Sequence, residues 1–238
     1  DGLRALAITI GVMFHTNGDL FAGGYLGVNM FFVISGYVIT QSLYKNYLQN
    51  GKININYGKS FTSFIHEDND EAHSGINIDY TSGNTYSLDL GITLGEKHRL
   101  RPEVRYQEYG AISELNNTPL SWKLNYIGTG LGYCYSVLKT DALSISPGIV
   151  LNINYMVSGE QNIGTERFNI KEDELLKPID VVTSIALNSR FKVTEYLFIN
   201  FDYRFGISLT EIENESGDKN EQTRNLGHIA SIGLSFNL

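Results

Sequence analysis

Residues 80–107 read YTSGNTYSLDLGITLGEKHRLRPEVRYQ and contain two alternating segments that are joined by a short connection. The apolar face of the first segment carries Tyr86, Leu88, Leu90, Ile92 and Leu94, and its other face carries Thr85, Ser87, Asp89, Gly91 and Thr93. One face of the second segment carries Arg99, Arg101, Glu103, Arg105 and Gln107. A period of two indicates β-strands with one apolar and one polar side. These residues therefore predict two adjacent strands whose polar face is densely charged.

The same alternation recurs along most of the chain. We count eight such segments, near residues 53–65, 84–95, 98–109, 120–136, 142–156, 180–193, 195–209 and 226–238. Long connections at 66–83, 110–119, 157–179 and 210–225 alternate with short ones at GEKH, near KTDA and at VTE. An even strand number, with long loops at one end and short turns and both termini at the other, is typical of outer-membrane barrels. Residues 52–238 are therefore predicted to form an eight-stranded antiparallel β-barrel.

The alternation alone does not say which face of the barrel is inside. A soluble barrel with an apolar interior is the alternative. Its exterior would carry the charges named above together with Arg190, Asp202 and Arg204. Such charges are more easily satisfied as ion pairs in a narrow lumen, with the apolar face turned to lipid. We therefore expect a transmembrane barrel. Its aromatic girdle is predicted to contain Tyr109, Trp122, Tyr126, Tyr155 and Tyr196.

Composition agrees with a membrane barrel better than with other classes. Charged residues make up 18% of the chain, aromatic residues 12%, and the mean hydropathy is -0.14. This value is too polar for a bundle of membrane helices, whereas a barrel hides its apolar residues in every second position. The net charge of -8 argues against a nucleic-acid partner. The single cysteine, Cys134, is expected to be a structural apolar residue.

Residues 1–51 follow a different pattern. Residues 5–14 and 25–40 are apolar runs, each shorter than the roughly 20 residues that span a bilayer as a helix. Arg4 and His15 are eleven residues apart, which places them on one face of a helix about 16 Å apart along its axis. Two interpretations stay open: both residues face a polar cavity with a function, or Arg4 only marks the helix end. Because the chain has no initiating Met and no signal peptide, its start is expected to be truncated.

The strings DGLRALAI, Phe14-His15 and GGYLGVNMFFVISGYVIT resemble the start of the acyltransferase-3 family. Members of this family are integral membrane enzymes that O-acylate sugars of surface polysaccharides. The resemblance implies active-site roles for Arg4 and His15. It covers about a fifth of the chain, and the remaining membrane helices of the family are not recognised in the sequence. Without them no cavity would hold donor and acceptor, so the acyl transfer is not expected to run in this chain.

Residues 53–238 resemble the small outer-membrane β-barrel proteins of Gram-negative bacteria. The segments that carry this resemblance are YTSGNTYSLDLGITLGEKHRLRPEVRY, SWKLNYIGTGLGYCY and the terminal GLSFNL. The resemblance implies that the last strand is recognised by the barrel-assembly machinery. The commonest terminal signal ends on an aromatic residue, whereas here Phe236 is third from the end and Leu238 is last.

Candidate chemical groups in the barrel are few. The loop HEDNDEAH contains His66, Glu67, Asp68, Asp70, Glu71 and His73, but its spacing matches no EF-hand and a solvated surface is the simpler interpretation. His98 or His228 would need a nearby serine and carboxylate, and no G-x-S-x-G motif occurs. We therefore predict no cofactor, no metal and no catalytic site in the barrel. Any ligand is expected at the long loops, which include residues 158–178 and 210–225.

The sequence predicts a non-enzymatic outer-membrane barrel with a structural, adhesive or small-ligand-binding role. The alternative is a fragment of a membrane O-acyltransferase, which would place the chain in the inner membrane. Membrane helices and outer-membrane barrels follow different insertion routes, and one chain does not readily follow both. We therefore hypothesise that the chain is a mosaic of residues 1–51 and 52–238, joined near GKINI.

Overall fold

The computed structural model describes residue 41 and residues 51–68, 78–115, 117–213 and 221–237, without the side chains of residues 66–68, 221 and 222. The strands belong to one compact unit, Asn50–Leu238. The predicted membrane-helix segment lies outside the described residues, apart from Gln41 and Gly51, so its helices stay a prediction. No helix among the described residues is long and apolar enough to cross a membrane.

Ten strands occur in the described part of the chain, and eight of them are long. The long strands are β1 (Lys52–Asp68), β2 (Ile78–Leu94), β3 (His98–Leu115), β4 (Thr118–Tyr135), β6 (Leu143–Ile163), β8 (Ile179–Lys192), β9 (Leu197–Ser208) and β10 (Glu221–Asn237). The short strands β5 (Leu138–Lys139) and β7 (Glu166–Asn169) both pair with β6. Each long strand overlaps one predicted segment, so the number and order of the barrel strands are confirmed.

The long strands form a closed antiparallel ring. Each pairs with the next along the chain, β4 pairs with β6 and β6 with β8, and β1 pairs with β10. At the closing seam, Lys52 lies opposite Asn237 and Asp68 lies opposite Glu221. Every long strand therefore has two neighbours, and the ring leaves no free sheet edge.

One predicted long loop is wrong. β3 continues to Leu115 and β4 begins at Thr118, so the connection expected at 110–119 is a tight turn. Asn117 in this turn has φ 65°, a left-handed conformation that asparagine tolerates better than most residues. β6 also extends to Ile163 and turns into β7 through Gly164, whose φ is 60°. Backbone pairing between these strands continues past the residues at which the apolar alternation of the sequence ends.

The interior of the barrel has two layers. Charged and amide side chains fill the part nearer the short turns, and an apolar cluster lies nearer the long loops. A bulge in β6 separates the registers of these parts, since Tyr126 lies opposite Met156 but Asn125 lies opposite Ser158. Val157 is thus the extra residue. Met156 keeps the inward parity of Asn152 and Asn154 and joins the apolar cluster, whereas after the bulge Gly159 is the next buried residue.

Candidate functional site

The charges that the sequence placed on one strand face meet inside the barrel. Arg101 donates to Asp89 and to Asp202, with an Nη2–O distance of 3.0 Å to each. Arg204 donates to both Glu103 oxygens, at 2.8 and 2.7 Å, and its Nη2 lies 2.9 Å from Asp202. These five charges form a chain of ion pairs from β2 through β3 to β9, and the prediction of an ion-pair network in the lumen is confirmed.

One more guanidinium and several neutral side chains complete the network. Arg105 pairs with Glu103 at 3.2 Å and donates to the Thr85 hydroxyl. Asn152 donates to Glu103 at 2.8 Å, and Asn54 donates to Asp89 at 2.6 Å. Each carboxylate thus accepts several charge-assisted hydrogen bonds, which offset the cost of its burial. Carboxylates held in this way are committed to structure and are poorly placed to take a proton from a substrate.

The apolar cluster closes the lumen toward the long loops. It consists of Phe64, Tyr109, Ala111, Leu124, Tyr126, Met156, Ile170 and Ile212. The rings of Tyr109 and Tyr126 meet edge to face, with centroids 5.6 Å apart. Ile170 follows β7 and Ile212 follows β9, so loop residues fold back over the strands that line the cluster. Below the cluster, Arg204 of the ion-pair network is only 2% exposed. Side chains therefore fill the lumen instead of lining an open channel.

The outward face of the barrel is apolar. The aliphatic side chains that point outward include Val104, Leu131, Ile149, Ile153, Ile185 and Ile232, each between 50% and 65% exposed. A shallow depression of about 930 Å³ on this face, across β10, β1, β2 and β3, is lined by side chains such as Ile55, Leu88, Val104 and Leu234. The polarity of this barrel is thus the reverse of a soluble one, whose apolar side chains lie inside.

Three members of the predicted aromatic girdle are placed elsewhere. Tyr109 and Tyr126 are 5% and 0% exposed and belong to the interior cluster, and Trp122 packs against that cluster. Tyr155 and Tyr196 are exposed, as predicted, at 49% and 72%. The prediction for Tyr109 is wrong because the residue keeps the parity of Arg105 and Gln107, which both point inward. Strand parity, had it been followed past residue 107, would have identified this position.

Three neighbouring strands project beyond the apolar band at the long-loop end. On β4 the outward residues change from Ile127 to Asn125 and Lys123, which lie seven and five positions after the strand begins at Thr118. β3 and β6 extend beside it, to Leu115 and Ile163. The tip of this projection holds a depression of about 540 Å³, lined by Asp79, Ile112, Glu114, Pro119, Ser121 and Asn162 among others. Its size is within the range of small-ligand sites, and it was not recognised in the sequence.

The other candidate residues are dispersed or lie outside the described residues. Arg4 and His15 are among the latter, as are all of the HEDNDEAH side chains. Among the described residues no group of three His, Cys, Asp or Glu side chains could hold a metal ion. His98 contacts the Tyr133 hydroxyl at 2.6 Å, and His228 contacts the Tyr203 hydroxyl at 2.7 Å. Neither contact assembles a serine, a histidine and a carboxylate.

Short parts of the chain are similar to curated O-acetyltransferases. A segment of 55 residues, 23% of the chain, is 47% identical to the O-acetyltransferase OatA of Staphylococcus aureus. A segment of 61 residues, 26% of the chain, is 49% identical to a putative O-acetyltransferase of the same species. The chain covers only 9% and 10% of these two relatives. The resemblance of a short part of the chain to O-acyltransferases is confirmed. No protein-family model matches the chain.

Solved structures that align with this chain include outer-membrane proteins. OprG of Pseudomonas aeruginosa aligns with a TM-score of 0.49 and 12% identity, over 78% of this chain and 95% of that chain. The Neisserial surface protein A aligns with a TM-score of 0.44 and 13% identity, over 78% and 97%. Ail of Yersinia pestis aligns with a TM-score of 0.38 and 9% identity, over 78% and 99%.

Proposed function

We propose that residues 52–238 form a non-enzymatic outer-membrane β-barrel with a structural, adhesive or small-ligand-binding role at its long-loop end. One observation carries this proposal: the barrel buries its charges and exposes its aliphatic side chains. Asp89 and Arg101 are 1% and 3% exposed, whereas Leu131 and Ile149 are 54% and 61% exposed. Water would penalise such a surface over the whole circumference, whereas the hydrocarbon core of a bilayer favours it.

The filled lumen supports a role other than transport through the barrel. The ion-pair network occupies one layer of the interior and the apolar cluster occupies the other, so described side chains fill both layers. The projection of β3, β4 and β6 would instead present a rigid polar surface outside the bilayer. The depression at its tip is the place where a small ligand would bind, and the polar strand faces beside it would serve adhesion.

The proposed partners are the lipid bilayer and, during assembly, the barrel-assembly machinery. The assembly signal would lie in β10, where Phe236 is exposed beside Leu197 and Ile53 of the neighbouring strands. Leu238 lies outside the described residues. The short turns and the first described strand residue, Lys52, would face the periplasm, and the projection would face the cell exterior.

Membrane insertion is tested with the full chain refolded into detergent and into lipid vesicles. We expect the band on a denaturing gel to shift on boiling, and the protein to float with the vesicles in a density gradient after a urea wash. Both results follow from a barrel whose outer surface needs an apolar solvent. A folded protein that stays in solution without detergent and does not float would contradict the proposal.

A second candidate function is supported by the similarity to O-acetyltransferases. In this alternative Arg4 and His15 take part in O-acyl transfer to a polysaccharide sugar, in the inner membrane. The chain spans about a tenth of the length of the curated relatives it matches, so this activity needs its own test. Acyl transfer by the full chain that His15→Ala and Arg4→Ala both abolish would establish the enzyme. Inactive wild-type protein that inserts as a barrel would leave the first proposal.

The mosaic hypothesis has a direct genetic test. Sequencing the locus across the codons for residues 45 to 60, in independent isolates, is expected to reveal two separate reading frames that correspond to the helical and the barrel parts. The same uninterrupted frame in every isolate would exclude an assembly artefact and would make the join a property of the gene.

A further inference from the structure

The short-turn end of the lumen contains three cations that have no carboxylate partner within the part of the chain that the structure describes. Among the described residues, Lys52, Arg99 and Arg190 form no ion pair within 4.0 Å. The carboxylates of the lumen network are already paired, since Asp89, Glu103 and Asp202 serve the guanidiniums of Arg101, Arg105 and Arg204. Positive charge in excess of the paired network therefore collects at one end of the barrel.

These three side chains belong to one cluster. The Lys52 Nζ lies 3.7 Å from the centroid of the Phe198 ring, and the Arg190 Cζ lies 6.0 Å from the same centroid. Arg99 donates through Nη2 to Asn188 at 2.6 Å, and Asn188 precedes Arg190 by one inward position on β8. The cluster thus joins the first residue of β1 to β3, β8 and β9.

Gly91, which has no side chain, lies between two of the cations. A Cβ atom built on Gly91 would be 3.6 Å from the Arg99 Cδ and 3.7 Å from the Lys52 Cβ, which is ordinary contact. Arg99 is only 5% exposed, and its Nε, which is bonded to that Cδ, is buried without a hydrogen-bond partner. An unsatisfied, desolvated guanidinium N–H is costly, so a ligand that accepts a hydrogen bond there would be favoured.

Further donors surround the cluster. Ser144 lies opposite Arg190 and Ser146 lies opposite Asn188 in the pairing of β6 with β8. The Ser146 hydroxyl is buried and within 3.0 Å of the Ser136 hydroxyl. Guanidinium groups bind phosphate and carboxylate oxygens in a planar, bidentate geometry, and hydroxyl groups complete the coordination of such anions. Because the lumen is narrow, the ligand must be small or must enter as a head group.

We propose that Lys52, Arg99 and Arg190 form an oxyanion-binding site of the phosphate class at the short-turn end of the lumen. Two sources have this chemistry: inorganic phosphate in solution and the phosphodiester of a lipid head group at the adjacent membrane surface. The site is independent of the long-loop end, where the proposed function places ligand binding. Occupancy would neutralise the surplus charge and tie β1, β3 and β8 together.

Phosphate binding by the full chain provides the test. The protein is refolded in dodecyl maltoside, which contains no phosphate, and is titrated with inorganic phosphate by calorimetry at constant ionic strength. We expect one saturable site per chain. Arg99→Gln should weaken it by about tenfold or more, as expected when a charge-assisted hydrogen bond is lost. The matched control is Arg167→Gln, which removes an exposed guanidinium paired with Glu160 near the long loops and should leave the affinity unchanged.

A second variant keeps all three cations. Gly91→Leu would place a bulky side chain between Arg99 and Lys52. We expect it to weaken phosphate binding as Arg99→Gln does. The shift of the gel band on boiling identifies the variants that have folded, so a folding failure in one variant leaves the other to decide. Folded wild-type protein without saturable phosphate binding, or equal affinity in wild type and both folded variants, would overturn the site.

The source of the anion is distinguished by a parallel titration with dihexanoyl phosphatidylglycerol, below its micellar concentration. If phosphate competes with the lipid, and Arg99→Gln weakens the binding of both, the site accepts both sources of the anion. Tighter binding of the lipid with the same dependence on Arg99 identifies the head group. Lipid binding that is unchanged in Arg99→Gln reflects the outer surface of the barrel and counts against the lumen site as its receptor.

Discussion

Arg204 and Glu103, on β9 and β3, form a bidentate ion pair inside the barrel, with nitrogen–oxygen distances of 2.8 and 2.7 Å. The two residues are 101 positions apart in the chain and are 2% and 4% exposed. The pair spans the lumen between strands that are not hydrogen-bonded neighbours. It therefore joins two walls of the ring through side chains alone.

Removing one partner of this pair should be far more costly than removing both. Arg204→Leu leaves Glu103 and Asp202 buried with fewer donors, and we expect it to lower the free energy of unfolding by about 3–5 kcal/mol. Arg204→Leu combined with Glu103→Leu should lose less than the sum of the two single losses. Urea unfolding in vesicles, followed by the fluorescence of Trp122, measures these values. Additive losses would contradict a coupled pair.

An arginine in the middle of the outward face should oppose insertion. Leu131 is at the centre of the outward apolar residues of β4, and Leu131→Arg is expected to cost about 2–4 kcal/mol at the bilayer midplane. The control is Asn125→Arg, on the same strand and in the polar part of the projection, with an expected cost of about 0–1 kcal/mol near the interface. Unfolding in vesicles and flotation measure both. Equal effects of the two variants would contradict the assignment of the lipid-facing band.

The closing seam between β1 and β10 should be sensitive to one added methyl group. A Cβ on Gly58 would lie 2.3 Å from the backbone oxygen of Ala230, which has no rotamer to change. We expect Gly58→Ala to destabilise the barrel by about 1–3 kcal/mol through overpacking. Gly91→Ala is the control, because its Cβ would meet no atom closer than 3.5 Å. Similar urea midpoints for the two variants would mean that the seam is looser than the structure indicates.

Alternation predicted the barrel strands well, but it predicted their ends poorly. The parity of Arg99 to Gln107 placed five side chains inside correctly, because each strand residue points opposite to its neighbour. The same rule stopped at Tyr109 and left residues 110–119 as a loop. In the structure these residues continue β3 and β4 as a paired extension with polar outward residues. Polar residues can pair as strands in water, and then no apolar alternation marks them.

The depression at the tip and the cation cluster could not be predicted from the sequence. Lys52, Arg99 and Arg190 lie far apart in the chain, and nothing in their spacing distinguishes them from the cations of the ion-pair network. Which guanidinium obtains a carboxylate depends on the register of β3 with β2 and on the way β9 faces β3 across the lumen. Proximity of this kind is created only when the ring closes.

The sequence by itself determined the number of strands, their order and the polarity of each strand face, because a period of two is a local property of the chain. It also determined that a short part of the chain resembles O-acyltransferases. The tertiary structure alone decided which charges are neutralised, because ring closure brings Arg204 to Glu103 and leaves Arg99 without a carboxylate among the described residues. Closure and strand register depend on contacts between residues about a hundred positions apart, as the separation of Arg204 and Glu103 illustrates.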